Sequence, residues 1–252
     1  MREDIYGHAK RFRWIASRLS REDRILEVGC GTGYMITYQL ALLGHDIRGL
    51  DSHEDSVALG REMFVSAGLD PSRLSSRDVA DVEGDFDAII ASEVLEHIPD
   101  GELEPFLAAV KSKLRPAGKL LVTVPNGRRW ADVENFFWKT LGFGAALEKI
   151  KFVAAVNRLK AFLFGRAAAF PHEFPSTLSS SPHVQRFTLD GIVGLLSDSG
   201  FDVEETDGSV VFSGPFSNLF FTGAGPVMRL NIFLRRMFPS LSANFYISAR
   251  RR

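Results

Sequence analysis

Cysteine is almost absent from this chain of 252 residues: Cys30 stands alone, so an intrachain disulfide and a cysteine-rich zinc site are both excluded, and a reducing cytoplasm is the expected compartment. Long apolar runs are missing too. Nothing approaches the roughly 18 apolar residues a membrane-crossing helix needs, and the opening M-R-E-D-I-Y-G-H-A-K-R lacks the apolar core of a secretion signal. A formal net charge of -1 and a pI near 6.6 exclude a strongly basic polyanion binder. There is no Gly-Lys-Ser or Gly-Lys-Thr, hence no phosphate-binding P-loop, and no internal repeat or low-complexity tract.

What is present suits a soluble globular protein with a sizeable core, at 45% hydrophobic and 24% charged residues. The two halves differ. Residues 1–134 carry 17 Lys and Arg against 23 Asp and Glu, net -6, whereas residues 135–252 carry 13 against 8, net +5, and hold 17 of the 21 phenylalanines. The second half is therefore the more basic and the more aromatic.

The organising stretch is R-I-L-E-V-G-C-G-T-G-Y, from Arg24 to Tyr34. Strand-forming residues run through Val28 into Gly29, Gly31 and Gly33, and a helical pattern follows to about Leu43. Glycine suits such a turn because no Cβ then stands between the backbone amides and a ligand. An amphipathic helix built on Ile5, Ala9, Phe12, Ile15 and Leu19 precedes it. A second strand, Asp46 to Leu50, ends at Asp51, 18 residues past Gly33, where a carboxylate can accept bonds from the hydroxyls of an adenosine ribose. Helix from Glu54 to Ala67, a short third strand from Leu74 to Arg77, and the pair Asp78-Val79 come next. F-D-A-I-I-A, Phe86 to Ala91, is the apolar run of a buried parallel strand, and it breaks at Ser92. Helix from about Gly101 to Leu114 and a fifth strand from Lys119 to Val124 follow.

From Gly127 to about Ser181 no strand pattern occurs, and residues 127–185 are expected to be an inserted lid of two helices. A helix over Leu189 to Ser199, a sixth strand over Phe201 to Phe212 interrupted near Gly208, a helix near Val227 to Phe238, and a last strand from Asn244 to Ala249 complete the chain. The expected fold is α/β: a Rossmann-like, doubly wound, seven-stranded, mostly parallel sheet, one domain over 1–252.

Two ligand classes compete for the carboxyl ends of these strands. A dinucleotide wants G-x-G-x-x-G, but Tyr34 stands where the third glycine would be. Glu27 also discriminates. A carboxylate at the tip of the first strand repels a pyrophosphate and complements a ligand bearing ammonium and sulfonium groups. Here E-V-G-C-G-T-G resembles the first motif of class I S-adenosylmethionine-dependent methyltransferases, and Asp51, Asp78-Val79 and F-D-A-I-I-A-S-E-V-L-E-H-I-P-D resemble later motifs in the family's order. The resemblance covers residues 5 to 126, and P-H-V-Q-R-F-T-L-D-G-I-V-G-L-L-S-D-S-G-F resembles the family's return to the sheet. It implies S-adenosylmethionine as cofactor, with Glu27 on its ammonium, the backbone of Gly29, Gly31 and Gly33 against it, Asp51 on the ribose, Asp78 on the adenine amino group, Val79 on the ring face, and Ser92 also among the residues that bind it. Singly, Asp51 could instead be a helix N-cap and Asp78 a loop acid.

Methyl transfer needs a nucleophile held in line and water excluded. For a hydroxyl acceptor a general base helps, and His97 is the candidate. His97 belongs to E-x-x-E-H, in which Glu93 and Glu96 are three apart and could share a helix face. The motif also resembles the divalent-metal set of ubiquinone-pathway and small-RNA O-methyltransferases, with His183 or His172 as a fourth ligand, or it is simply a helix start. All three readings stay open here.

Between Asn135 and His172, Lys139, Lys149, Lys151, Arg158, Lys160 and Arg166 face one acid, Glu148, beside Phe152, Val153, Val156, Leu159, Phe162 and Leu163. No acid follows Asp207, whereas Arg229, Arg235, Arg236 and Arg250 to Arg252 do. Basic amphipathic helices can lie on an anionic membrane surface, although a lid with solvated cations has the same composition. The expected function is methyl transfer to a small apolar, aromatic or lipid-like acceptor at oxygen by a cytoplasmic enzyme, peripheral to the membrane if these helices lie on it. The rivals are an RNA 2′-O-methyltransferase, which the charge disfavours, a nicotinamide-dependent oxidoreductase, and a noncatalytic cofactor-binding subunit.

Overall fold

In the computed structural model, which describes residues 7–128, 130–164, 175–222 and 225–252, the alternation of apolar runs and helical patterns becomes seven strands and ten helices among the described residues. In chain order they are α1 (His8–Ala16), β1 (Arg24–Val28), α2 (Thr37–Leu42), β2 (Asp46–Leu50), α3 (Glu54–Ser66), β3 (Leu74–Ser75), β4 (Phe86–Ser92), α4 (Asp100–Lys113) and β5 (Leu114–Pro125). There follow α5 (Trp130–Asn135), α6 (Phe143–Lys149), α7 (Phe152–Phe164), α8 (Leu189–Asp198), β6 (Phe201–Gly208), α9 (Pro215–Phe221), α10 (Gly225–Met237) and β7 (Asn244–Arg251).

The sheet has the order β3-β2-β1-β4-β5-β7-β6. β1 pairs in parallel with β2 and with β4, β2 with β3, and β4 with β5. At the other edge the direction reverses: the amide of Ser209 bonds the carbonyl of Asn244, that of Ala243 the carbonyl of Val210, and that of Arg252 the carbonyl of Gly200, so β7 runs antiparallel to β6. The sheet is Rossmann-like and mostly parallel. Its strand order reverses between β1 and β4, and in open α/β sheets the crevice at such a point, outside the carboxyl ends of the strands, takes the ligand.

The chain divides into two units. The sheet unit comprises Phe12–Val124, His172–Thr206 and Tyr246–Arg252. Its core sets Ile25, Ala88, Ile90 and Leu121 of the strands against Trp14 and Ile15 of α1, Leu40 of α2 and Phe64 of α3. Tyr246 of β7 joins them, with its ring 5.4 Å from that of Trp14. Burying side chains of this size contributes about 1.5–3 kcal/mol each, so the apolar strand runs dominate this unit's stability.

The helical unit comprises Met1–Arg11, Pro125–Pro171 and Asp207–Phe245. Two buried polar side chains organise it. Glu134 of α5 accepts the Ser217 amide at 2.8 Å and also the Ser217 hydroxyl. Asn231 of α10 accepts the amides of Val211 and Phe212 at 3.1 and 2.9 Å and donates to the carbonyl of Phe212 at 2.8 Å.

Several boundaries differ from the sequence reading. β6 stops at Gly208 instead of reaching Phe212: bonds to the neighbouring chain continue through Ser209 and Val210, and at Val211 and Phe212 the backbone turns to the Asn231 side chain instead. α9, unforeseen, occupies the Phe-rich connection. β3 is two residues long, and residues 130–164 hold three helices with a π-turn at Phe136–Thr140, where two were expected. His172 and Arg166 lie outside the described residues.

Candidate functional site

The glycine turn after β1 is required by conformation and by space. Gly29, Gly31 and Gly33 have φ of +70°, +57° and +75°, where a side chain is strained. A Cβ on Gly29 would lie 2.4 Å from Cγ2 of Val94, and one on Gly31 would lie 2.1 Å from the carbonyl oxygen of Ser176. The turn is thus pressed from two sides by the chain itself.

Glu27, at the end of β1, is only 3% exposed. Its Oε2 accepts the amide of Thr37 at 2.9 Å and the Thr37 hydroxyl, which fixes the carboxylate beside the start of α2. Asp51 ties two loops together: Oδ2 accepts the amide of Gly31 at 2.6 Å and Oδ1 that of His53 at 2.9 Å. Each oxygen keeps a second lone pair for a ligand hydroxyl. Asp51 is not the helix cap; the α3 cap is His53, whose Nδ1 accepts the Ser56 amide at 3.2 Å. Between the two carboxylates, Cys30 is buried, and its thiol is pushed well above the usual range first by that burial and then by the charges of Glu27 and Asp51.

Asp78 lies on an exposed turn and caps it, accepting the Ala80 amide at 2.8 Å, while Val79 beside it is buried. Glu27, Gly31 and Asp51 therefore gather at the ends of β1 and β2, and Asp78-Val79 form a separate turn beyond β3.

At the end of β4, the Ser92 hydroxyl lies 2.8 Å from that of Thr123, and the Thr123 hydroxyl donates to Glu93 at 3.0 Å, so Ser92 is the donor in the first pair. Glu93 has φ +58°, the left-handed region. This corrects the expectation that Glu93 and Glu96 share a helix face: the backbone turns at Glu93, sending its carboxylate to Thr123. Glu96, 1% exposed, instead falls in the 3₁₀ turn Leu95–His97. Ligand atoms of Glu96, His97 and His183 lie within 4.8 Å of one another. The His97 and His183 rings meet edge to face at 4.8 Å, and His97 Nδ1 is 3.0 Å from the carbonyl oxygen of Pro182.

Sequence reasoning missed Thr37, Thr123 and the residues after 174 that reach the glycine turn. Thr32, a hydrogen-bonding side chain set between two glycines, was the one available signal.

Residues 5–206 match a family described as methyltransferase domain. A ubiquinone biosynthesis O-methyltransferase of Xanthomonas axonopodis pv. citri (strain 306) is 32% identical over 120 residues, 46% of this chain and 49% of that protein. The chain thus spans about half the length of the curated relatives it matches. Among solved structures, an S-adenosylmethionine-dependent methyltransferase of Methanosarcina mazei aligns with TM-score 0.56 at 18% identity, over 94% of this chain and 96% of that one. Magnesium protoporphyrin IX methyltransferase of Synechocystis PCC 6803, with bound S-adenosylhomocysteine, aligns with TM-score 0.56 at 14% identity, over 98% and 83%. The structural likenesses show a shared fold. With the match over residues 5–206, they establish that the chain belongs to the methyltransferase-domain family, on the Rossmann-like fold of class I methyltransferases that use S-adenosylmethionine as cofactor.

Proposed function

We propose that this protein moves a methyl group from S-adenosylmethionine to a small apolar, aromatic or lipid-like acceptor at oxygen. The observation that carries this reading is the convergence of buried Glu27, Gly31 and Asp51 at the ends of β1 and β2, with His97 after β4 on the other side of the point where the strand order reverses. Glu27 offers its charge to the cofactor's ammonium, the glycine turn its backbone, and Asp51 its remaining lone pairs to the ribose. Asp78, Val79 and Ser92 are assigned to the adenine side and the crevice edge on the family resemblance. The cofactor supplies an electrophilic methyl; the chain's task is to orient the acceptor, exclude water and take up a hydroxyl proton, for which His97 is the candidate.

The oxygen preference is supported by the O-methyltransferase relatives, whose names concern ubiquinone biosynthesis. The apolar preference is supported by the helical unit. The outer face of α10 exposes Leu230, Phe233 and Met237 between the exposed Arg229 and Arg236, the composition of a helix that rests on an anionic membrane surface. No helix among the described residues is long and apolar enough to cross a membrane. The lid role of residues 127–185 belongs to the same proposal, and exposed Phe136, Phe137, Phe143 and Phe162 suit it.

A second reading is favoured by one observation, the grouping of Glu96, His97 and His183. One carboxylate and two imidazoles fit a small divalent cation, which would polarise an acceptor oxygen. Glu93, directed to Thr123, stands apart from that donor set.

The test is turnover of labelled S-adenosylmethionine with phenolic and isoprenoid acceptors, before and after chelation and with added Mg2+. Methylated oxygen supports the proposal; cofactor binding without turnover on any acceptor would reduce the protein to a binding subunit. Loss on chelation with recovery on Mg2+ selects the metal reading over His97 as base. Sedimentation with anionic vesicles tests the surface: no binding at low salt removes it.

A further inference from the structure

The short stretch 175–185 joins two places that the sequence gives no reason to connect. At one end it lies on the glycine turn. The Thr32 amide donates to the Ser176 carbonyl at 2.9 Å, and the Thr32 hydroxyl donates to the Pro175 carbonyl at 2.8 Å. Beside them the Leu178 amide donates to the Ser56 hydroxyl at 2.9 Å, and that hydroxyl is 3.4 Å from the hydroxyl of Thr177. At the other end it holds the turn after β4: the amides of Val184 and Gln185 donate to the Glu96 carbonyl at 2.8 and 3.0 Å, and the Gln185 side chain donates to Ile98 and Asp100 at 3.0 and 2.7 Å.

Because β1 and β4 are adjacent, these anchors stand at the two lips of the crevice where the strand order reverses. The residues between them, 180–183, are exposed. The segment is thus tied at both ends, with the Pro182 carbonyl and the His183 ring against His97 between the anchors, which is the geometry of a strap.

The glycine turn shows which end is made to open. Three of its amides are engaged within the βαβ core: Cys30 with Leu50, Gly31 with Asp51 and Gly33 with Cys30. Thr32 alone is bonded to a distant segment, and the Ser176 carbonyl occupies the space over Gly31 that a Cβ would fill. Lifting residues 175–178 therefore uncovers the turn without disturbing the core, while the bonds at Glu96, Ile98 and Asp100 act as hinge.

We infer that residues 175–185 are a strap that retains the cofactor: its end on Thr32 and Ser56 must lift for S-adenosylmethionine to enter and S-adenosylhomocysteine to leave, and its closed form holds the Pro182 carbonyl against His97. This rests on the cofactor lying in the crevice of the sheet unit.

The experiment measures S-adenosylhomocysteine dissociation from the full-length protein by stopped-flow displacement, after calorimetry has shown that the wild type binds it. Thr32→Val with Ser56→Ala removes the side-chain bonds of the strap. Dissociation is expected to rise about ten-fold, the consequence of losing one or two hydrogen bonds, with faster amide exchange at residues 176–178. Thr32→Ser, which keeps the hydroxyl, should restore the slow rate. A paired Ser56→Cys and Thr177→Cys protein, oxidised, should release the ligand at least about ten-fold more slowly and recover on reduction, so the same molecule controls for folding. An oxidised pair that releases ligand at its reduced rate overturns the strap alone. Absence of binding by the wild type overturns the cofactor site and the strap with it.

Discussion

Nδ1 of His97 stands 3.0 Å from the carbonyl oxygen of Pro182. A carbonyl only accepts, so Nδ1 carries a proton, and in the neutral ring Nε2 then presents its lone pair. One bond from a loop 85 residues away therefore sets the tautomer that a base or a metal ligand requires. His97→Ala is expected to lower methyl transfer by about 10²–10⁴-fold, the range of a general base, with S-adenosylhomocysteine affinity unchanged in calorimetry. Near-normal turnover would leave His97 a structural residue of its turn.

Glu27 offers a separate test of the cofactor site. Glu27→Gln keeps an oxygen for the Thr37 amide and removes the charge. Affinity for S-adenosylhomocysteine should fall by about 1.5–3 kcal/mol, the scale of a charge-assisted bond, with a small change in melting temperature. Undiminished affinity would detach the carboxylate from the ammonium.

Cys30 should be inert. With its thiol raised by burial and by the neighbouring carboxylates, thiolate is scarce at neutral pH. Iodoacetamide at pH 7.5 should leave the folded protein unlabelled over times that label it fully in urea; rapid native labelling would show that the glycine turn opens widely.

Asp87 predicts a pH-dependent term in stability. Burial works to raise its carboxyl, but the Arg24 amide at 2.9 Å and the Arg115 guanidinium at 2.6 Å outweigh that and hold it below the usual value. A carboxyl lower in the folded than in the unfolded chain stabilises above the unfolded value, and that contribution is lost as pH falls through the folded one. Asp87→Asn should therefore cost about 1 kcal/mol at pH 7 in urea unfolding, the half-exposed arginine limiting the effect, and the gap should narrow below about pH 4. A gap independent of pH would assign the cost to packing.

In the helical unit the sensitive residue is Asn231. Asn231→Ala strands two amides and a carbonyl in a buried place, where each such group costs about 1–3 kcal/mol. Protease sensitivity within 207–245 should rise sharply; unchanged digestion would show that water replaces the amide.

The sheet was legible because its strands are continuous apolar runs, F-D-A-I-I-A above all, that no other environment suits. That Glu27 and Asp51 fall at the ends of the first two strands was legible from where those apolar runs break. The rest depended on partners remote in sequence. That the pairing does not extend to Phe212 is decided by an asparagine on α10, and that Glu93 parts from Glu96 is decided by Thr123 on the neighbouring strand, information a local pattern does not contain. The bonds from Ser176 to Thr32, 144 residues apart, lie equally beyond periodicity.

β7 is the last strand along the chain but an inner one in the sheet, lying between β5 and β6. During synthesis, β6 emerges with no neighbour to pair with, since its only partner is made some forty residues later. Tyr246, which closes the core against Trp14, arrives on that same strand. The ribosome must therefore deliver nearly the whole described chain before the sheet can seal, and until then a bare strand edge is what a chaperone would meet.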